Sequence, residues 1–306
     1  MKERISQTIT IINSMRRRLA QIFDQVVAVV YKKIAISPTG IKFDGQARFT
    51  LLTVNYSTTY YLKLMLLTLS KQNNLDKLKQ IIVVDNNSKD GSSQFLQQLN
   101  IRSKAIHVIS NKWFCHHARG LRLGINALDQ IEKKLTCQQK SNVLMICDTD
   151  IVFRNPETVS SLAKVFERKQ AAFAGELRYS DHVCPQAQAS FLCLLRECYE
   201  RKDIQPFVYH GSPAYWLQKS LWKAGLYLHD FRSNFAGYIL HRGRSGVAAA
   251  KQYKPLSSFT TVNNQAHYMG VKNGKEIWQN IEKQHQELLK KENQQQLIDH
   301  LVRSFV

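Results

Sequence analysis

The stretch Val143–Asn155, VLMICDTDIVFRN, decides how the rest of the chain is read. Five apolar or small residues, Val143 to Cys147, run straight into Asp148-Thr149-Asp150, and Ile151-Val152-Phe153 follow. A short continuous apolar run predicts a strand buried on both faces, as in a parallel sheet. Two carboxylates then emerge where the strand ends, the edge at which open α/β sheets bind ligands. Neighbouring carboxylates repel unless something positive stands between them. A hard divalent cation answers this, because Mg²⁺ is held by one or two carboxylates together with substrate phosphates. The plainer alternative is a solvated acidic turn after a core strand. Asn155-Pro156 has the form of an N-cap with proline at the first helical position, predicting a helix to about residue 169.

Working outward, the same alternation recurs. Residues 48–56, RFTLLTVNY, predict the first core strand, and Ser57 and Thr58 are placed to cap a helix whose Tyr61, Leu62, Met65, Leu66 and Leu69 share a face. Residues 79–85 predict a second strand ending at Asp85, followed by the polar loop 86–92, in which Gly91 supplies a positive φ. A helix at 94–99, a strand at 105–110 and a helix at 114–128 lead to the strand before Asp148. This spacing predicts an α/β doubly wound, mostly parallel sheet flanked by helices. Beyond it, residues 171–177 predict a strand carrying Glu176 and residues 219–224 a helix, while 178–205 offer core candidates without a clear element. Residues 275–306 predict one charged helix that serves as a lid, a docking element or an oligomer contact.

The 306 residues are 44% hydrophobic, and 43 Lys and Arg against 23 Asp and Glu give a net charge of +20. That surplus points to an anionic partner, whether nucleotide phosphates, an anionic membrane surface or nucleic acid, and says little about fold. No apolar run reaches membrane-spanning length. The six cysteines lack paired or regular spacing and no secretory signal precedes them, so they are expected to be reduced thiols of a cytoplasmic protein rather than metal ligands. No G-x-G-x-x-G or Walker sequence appears, which disfavours a dinucleotide or P-loop enzyme. Along residues 1–36, Ile5, Ile9, Ile12, Met15, Leu19, Phe23, Val26, Val30 and Ile34 recur at steps of three and four, beside Arg16-Arg17-Arg18 and Lys32-Lys33. Such a helix suits an anionic bilayer, or packing on its own domain or on a second copy.

The sequence VVDNNSKDGS followed by ICDTD, each at a strand end, resembles the nucleotide-sugar half of a family 2-type, GT-A glycosyltransferase over about residues 48–155. The resemblance implies a Rossmann-like GT-A domain over 47–275, with a nucleotide-sugar half (47–155) and an acceptor half (156–275). A helical extension at 1–46 and a C-terminal helix at 276–306 flank it. It implies that Asp85 binds the base or ribose of a nucleoside diphosphate sugar, that Asn55 lines the same pocket, and that Asp148 and Asp150 are the D-x-D pair on Mg²⁺ or Mn²⁺, Asp148 also lying near the ribose. Asn87 and Arg119 are placed with the donor contacts, Arg119 standing where a neutral residue is common; His116, His117, Arg119 and Arg122 either meet diphosphate or form a solvated face.

His241, at the head of HRGRSG, is the third candidate metal ligand. The acidic pair that supplies the base in many relatives is missing, so Asp230 is the candidate base, with Glu176 and Asp181 as rivals. Tyr209, His210, Tyr215 and Trp216 suit a sugar acceptor or a core. The expected reaction is metal-dependent transfer, inverting at the anomeric carbon, to a glycan, lipid or other hydroxyl, with no nucleic acid partner, at the cytoplasmic face or in the cytoplasm. The rivals are a GT-A protein that binds nucleotide without turnover and a basic adaptor for membrane or nucleic acid. Contact between copies through the terminal helices is also expected.

Overall fold

The structure, a computed structural model, describes residues 14–15, 18–30, 32, 41–113, 115–178, 184–209, 212–253 and 263–305. Nine strands are present among them: β1 (Phe49–Asn55), β2 (Leu78–Asp85), β3 (Ile106–Ser110), β4 (Val143–Cys147), β5 (Ile151–Phe153), β6 (Phe173–Arg178), β7 (Gln186–Leu195), β8 (Leu228–Asp230) and β9 (Ile239–His241). Seven form one sheet in the order β3-β2-β1-β4-β7-β6-β8, and β5 pairs with β9. β1 runs parallel to β2 and β4, β2 to β3 and β6 to β8, whereas β7 is antiparallel to both β4 and β6. The expected mostly parallel α/β sheet is therefore present.

From β1 the chain steps outward through β2 and β3, then returns to the other side of β1 at β4. The crevice between β1 and β4 is thus the point where strand order reverses, the place such sheets reserve for ligands. Consecutive residues of β2 and β4, Ile81 to Val84 and Val143 to Cys147, are all buried. Both faces are covered, which is why these runs lack the alternation of a half-exposed strand. The helix His117–Ile131 lies close over β1: a Cβ on Gly124 would stand 2.1 Å from a methyl of Leu52, so any larger residue here would have to displace that buried side chain.

Several element boundaries differ from the sequence expectation. The helix Thr59–Leu69 has Thr58 at its N-cap, but neither Ser57 nor Thr58 caps it through its side chain; the Asp90 carboxylate accepts from Thr59 N–H instead, at 3.0 Å. Asn155 and Pro156 precede the helix Thr158–Lys169 rather than opening it, and the Asn155 side chain accepts from Glu157 N–H, forming a turn. The segment that offered no clear element holds β7 and the short helix Arg196–Glu200. The charged C-terminal helix is two, Gly274–Leu289 and Gln294–Ser304, broken at Lys290, whose backbone is extended. Trp278, Leu297, Ile298 and Leu301 are buried, so both helices pack on the body of the protein.

The N-terminal segment, helical over residues 18–30, docks by its polar side. Asp24 is buried and accepts from both terminal nitrogens of Arg122 (2.7 and 3.0 Å), from His116 (3.0 Å) and from Tyr209 N–H (2.7 Å). Burial alone would raise the Asp24 carboxyl, but these donors hold it well below the usual carboxylate range. Ala28 is buried beside it, and Lys32 Nζ donates to Arg201 and Ile204 carbonyls. Met15, Leu19, Phe23, Val26 and Val30 face away from the domain. Ile5, Ile9, Ile12 and Ile34 lie outside the described residues.

Candidate metal and donor site

Asp148 and Asp150 stand at the exit of β4, where the chain turns into β5. The two-stranded sheet brings in the third group. In the β5–β9 register Ile151 faces His241, and Arg242 N–H donates to the Asp150 carbonyl at 2.9 Å. His241 Nε2 consequently lies 3.2 Å from Asp150 Oδ1 and 3.6 Å from Asp148 Oδ2. Donor atoms of all three residues lie within 4.8 Å of one another. Past His241 the chain turns sharply at Gly243, whose φ is +76°; a Cβ there would stand 2.3 Å from the His267 ring. That turn delivers Ser245, first residue of the helix Ser245–Tyr253, so that its N–H donates to Asp150 Oδ2 at 3.1 Å. A helix N-terminus thereby favours the charge on Asp150.

The electrostatics follow from this geometry. Burial would raise Asp150, yet His241 and the Ser245 N–H outweigh it and hold the carboxyl at about 2. Asp148 shifts the other way: burial raises it, the Asp150 charge adds to that, and His117 and His241 oppose it only in part. His241 is raised, because the two carboxylates outweigh a burial that would lower it. His117, at the start of the helix over β1, places Nε2 3.7 Å from Asp148 Oδ1. His117 Nε2 and His241 Nδ1 are both buried without a hydrogen-bond partner. Two carboxylates and an imidazole, converging beside such orphaned nitrogens, fit a hard divalent cation such as Mg²⁺ or Mn²⁺.

The donor candidates gather across the crevice. Asn55, fully buried at the end of β1, donates to Thr59 Oγ1 (2.9 Å), Ser88 Oγ (3.1 Å) and Asp85 Oδ1 (3.4 Å). Its role here is to hold Asp85 and the following loop in place. Asp85 keeps part of its surface open, and its carboxyl is raised by burial against the pull of Ser88 and Asn55. Asn87 takes a positive φ of 61° in that loop and is partly exposed. Ser88 Oγ accepts from Ser57 N–H at 2.8 Å, and the Thr58 and Thr149 hydroxyls meet at 2.8 Å, tying the end of β1 to the D-x-D turn.

Other candidates are dispersed. Arg119 is exposed in the first turn of its helix, while His116 and Arg122 are spent on Asp24 rather than on a ligand. Asp230, three strands from Asp148 and so roughly 14 Å away across the sheet, accepts from Leu177 N–H (2.9 Å) and Arg232 Nε (3.1 Å). Glu176 is buried, and one of its oxygens accepts from Asn234 N–H at 2.7 Å; Asn234 in turn accepts from His241 N–H at 2.9 Å. Glu176 thus braces the loop that carries His241. Tyr209 packs on the His116 ring at 4.8 Å, and Trp216 lines a cavity with Gln25 of the N-terminal helix. Asp181 and His210 lie outside the described residues. Sequence reasoning missed Ser245, whose contribution is a backbone N–H and leaves no residue-type signal; the adjacent histidines 116 and 117 were visible, but not their division of labour.

Residues 52–223, more than half of the chain, match the family described as Glycosyl transferase family 2. No curated protein sequence matches the chain. Among solved structures, Staphylococcus aureus TarS 1-349 is 12% identical with a TM-score of 0.39, covering 56% of this chain and 55% of its own. The mannosyltransferase PcManGT from Pyrobaculum calidifontis, in complex with GDP-Man and Mn²⁺, is 13% identical with a TM-score of 0.45, covering 95% and 84%. GalNAc-T7, solved with UDP, GalNAc and Mn²⁺, is 9% identical with a TM-score of 0.42, covering 61% and 42%. The chain spans about half the length of the first of these.

Proposed function

The chain belongs to glycosyl transferase family 2, and from that premise we propose that it moves a sugar from a nucleoside diphosphate sugar to an acceptor hydroxyl with a divalent cation at Asp148, Asp150 and His241. The observation that carries this reading is the convergence of those three residues. They come from two distant segments of the chain and meet at the crevice where strand order reverses. When bound, Mg²⁺ or Mn²⁺ would neutralise diphosphate oxygens and so stabilise the leaving group.

The chain's own residues divide the remaining work. Asp85 takes hydroxyl hydrogen bonds from the nucleoside, as acidic strand-end residues do in dinucleotide folds. Asn55 and Ser88 hold Asp85 in place, and Asn87 borders the nucleoside. Ser245 N–H fixes Asp150 in its ionised form. Arg119, exposed at the start of its helix, meets the outer phosphate oxygens. Asp230 removes the acceptor proton. One of its oxygens is committed to Leu177 N–H, and the other faces Arg232, whose side chain is 72% exposed and free to move aside. Attack from that side, opposite the diphosphate, inverts the anomeric carbon.

The test is a transfer assay over a panel of nucleoside diphosphate sugars, run with Mn²⁺ and with EDTA, on the native chain, Asp230→Asn and Glu176→Gln. Transfer is expected only with the cation. Asp230→Asn, which keeps shape but cannot take a proton, is expected to cut transfer by ~10² to 10⁴ with donor affinity nearly unchanged. Undiminished turnover in EDTA refutes the metal reading, and loss of transfer in Glu176→Gln alone moves the base to β6.

A further inference from the structure

We propose that the outward face of the N-terminal helix, residues 18–30, is a docking surface for an anionic lipid bilayer. It draws on that helix and its neighbour Tyr215–Lys223, and holds whether or not the reading of the active site is correct.

At 100° per residue, the buried positions Asp24, Ala28 and Lys32 centre on one side of the helix, while Met15, Leu19, Ile22, Phe23, Val26, Val27 and Val30 centre on the opposite side. Leu19 is 64% exposed and Phe23 72%. Single exposed apolar side chains are ordinary on any surface. A continuous apolar stripe over three turns is not, and such a patch marks a site that something else covers. The usual arrangement of an amphipathic helix is inverted, since the protein holds the charged side and offers the apolar side outward.

Charge selects the occupant. Asp24 is the only carboxylate between residues 14 and 32. It is turned inward and neutralised by Arg122, so the described part of this helix exposes none. Arg18 is exposed, and Arg16, Arg17 and Lys33 add to the positive charge of the segment in the sequence, whereas Lys32 is turned inward onto the Arg201 and Ile204 carbonyls. The neighbouring helix Tyr215–Lys223 continues this character. Its Trp216, Lys219 and Lys223 share a cavity of about 440 Å³ with Gln25, and Trp222 beside them is half exposed. Asp203, which also borders the cavity, is paired with Arg201 at 2.5 Å.

Tryptophan with lysine around an apolar stripe is the composition that settles at the boundary of headgroups and acyl chains. A second copy would instead bring together two like-charged surfaces of a chain carrying +20. At 13 residues the described helix is about 20 Å long, so it lies along a surface; among the described residues no helix is long and apolar enough to cross a membrane.

Deleting the segment would strip Arg122 of its buried partner, so the test uses surface substitutions in the full chain. Leu19→Ser, Phe23→Ser and Val26→Ser are combined in one variant, with circular dichroism and thermal midpoint as controls of folding. Co-sedimentation is measured with vesicles of mixed phosphatidylglycerol and phosphatidylcholine and with vesicles of phosphatidylcholine alone. The native chain is expected to bind the mixed vesicles at least about tenfold more tightly than the neutral ones, and the variant to lose about tenfold or more on the mixed vesicles. Equal binding of variant and native chain overturns the proposal, as does equal affinity for the two vesicle types. A native dimer that the variant disperses, with no vesicle binding by either, shows instead that this face pairs two copies.

Discussion

The two ends of the β4–β7 strand pair bury charge in opposite ways. At one end, beside the Val143–Leu195 pairing, Arg196 is almost fully buried; its guanidinium meets Glu132, Asp129 (2.6 Å) and Glu200 (3.2 Å) and also donates to the Ser141 carbonyl. Glu132 additionally accepts from Ser141 N–H at 2.7 Å. Burial would lower the arginine, and the carboxylates more than reverse this. At the other end, roughly 20 Å along the strand, two carboxylates emerge together. Beside them His117 and His241 each keep a buried ring nitrogen without a partner. The first arrangement is closed, with its hydrogen bonds spent within the protein. The second is open: His117 Nε2, without a hydrogen-bond partner, and His241 Nε2 both face the carboxylates, and among the described residues no cationic side chain closes the group as Arg196 does at the other end. Burial and charge alone do not identify a functional site; unsatisfied convergence does.

The largest effect is expected from opening the closed end. Arg196→Leu leaves Glu132 buried without its countercharge and should destabilise the fold by about 3–5 kcal/mol. Urea unfolding should show this as a lower midpoint, while the folded fraction keeps its affinity for donor. A stability unchanged by this substitution would mean that the two ends do not differ as described.

A smaller effect sharpens the open end. A cation needs the unprotonated imidazole of His241, and the carboxylates hold that group above its ordinary value of 6.5. Competition from the proton therefore begins at higher pH than for a free histidine. Below His241's raised value, apparent Mn²⁺ affinity should fall about tenfold per pH unit. Asp150, held at about 2, adds no proton across this range, whereas Asp148, raised by burial and by the Asp150 charge, steepens the fall wherever it also takes up a proton. In the cation-free chain the sign reverses. The raised His241 contributes stability below pH 6.5 that is lost as pH rises through its folded value, and the lowered Asp150 contributes stability above 3.8 that is lost toward about 2. Affinity measured by titration across pH 5.5–8 checks the first statement, and thermal midpoints without metal check the second.

What the sequence revealed divides along the same line. β1, β2 and β4 were legible because strands covered on both faces appear as uninterrupted apolar runs, and their terminal Asn55, Asp85 and Asp148 inherit positions from the strand ends. His241 was legible as a histidine at the end of such a run. β7 was not, since QAQASFLCLL joins an alternating half to a continuous one and fits neither template throughout. The Arg196 cluster joins residues 129, 132, 196 and 200, and no local pattern announces a contact over that separation. The N-terminal stripe was visible as a stripe, but periodicity cannot tell which side a domain will grip. That was settled by Asp24, one carboxylate in a basic helix, whose partners lie some ninety residues and more away.

The central claim is that Asp148, Asp150 and His241 form one cation site. It is tested most directly by counting bound Mn²⁺ from the loss of the free-ion paramagnetic signal, with a nucleoside diphosphate present, in the native chain and in Asp150→Asn. One Mn²⁺ is expected per native chain. Asp150→Asn is expected to weaken binding by about a hundredfold or more while the chain stays folded. Equal Mn²⁺ binding by the two proteins, at the same stoichiometry and affinity, would contradict it.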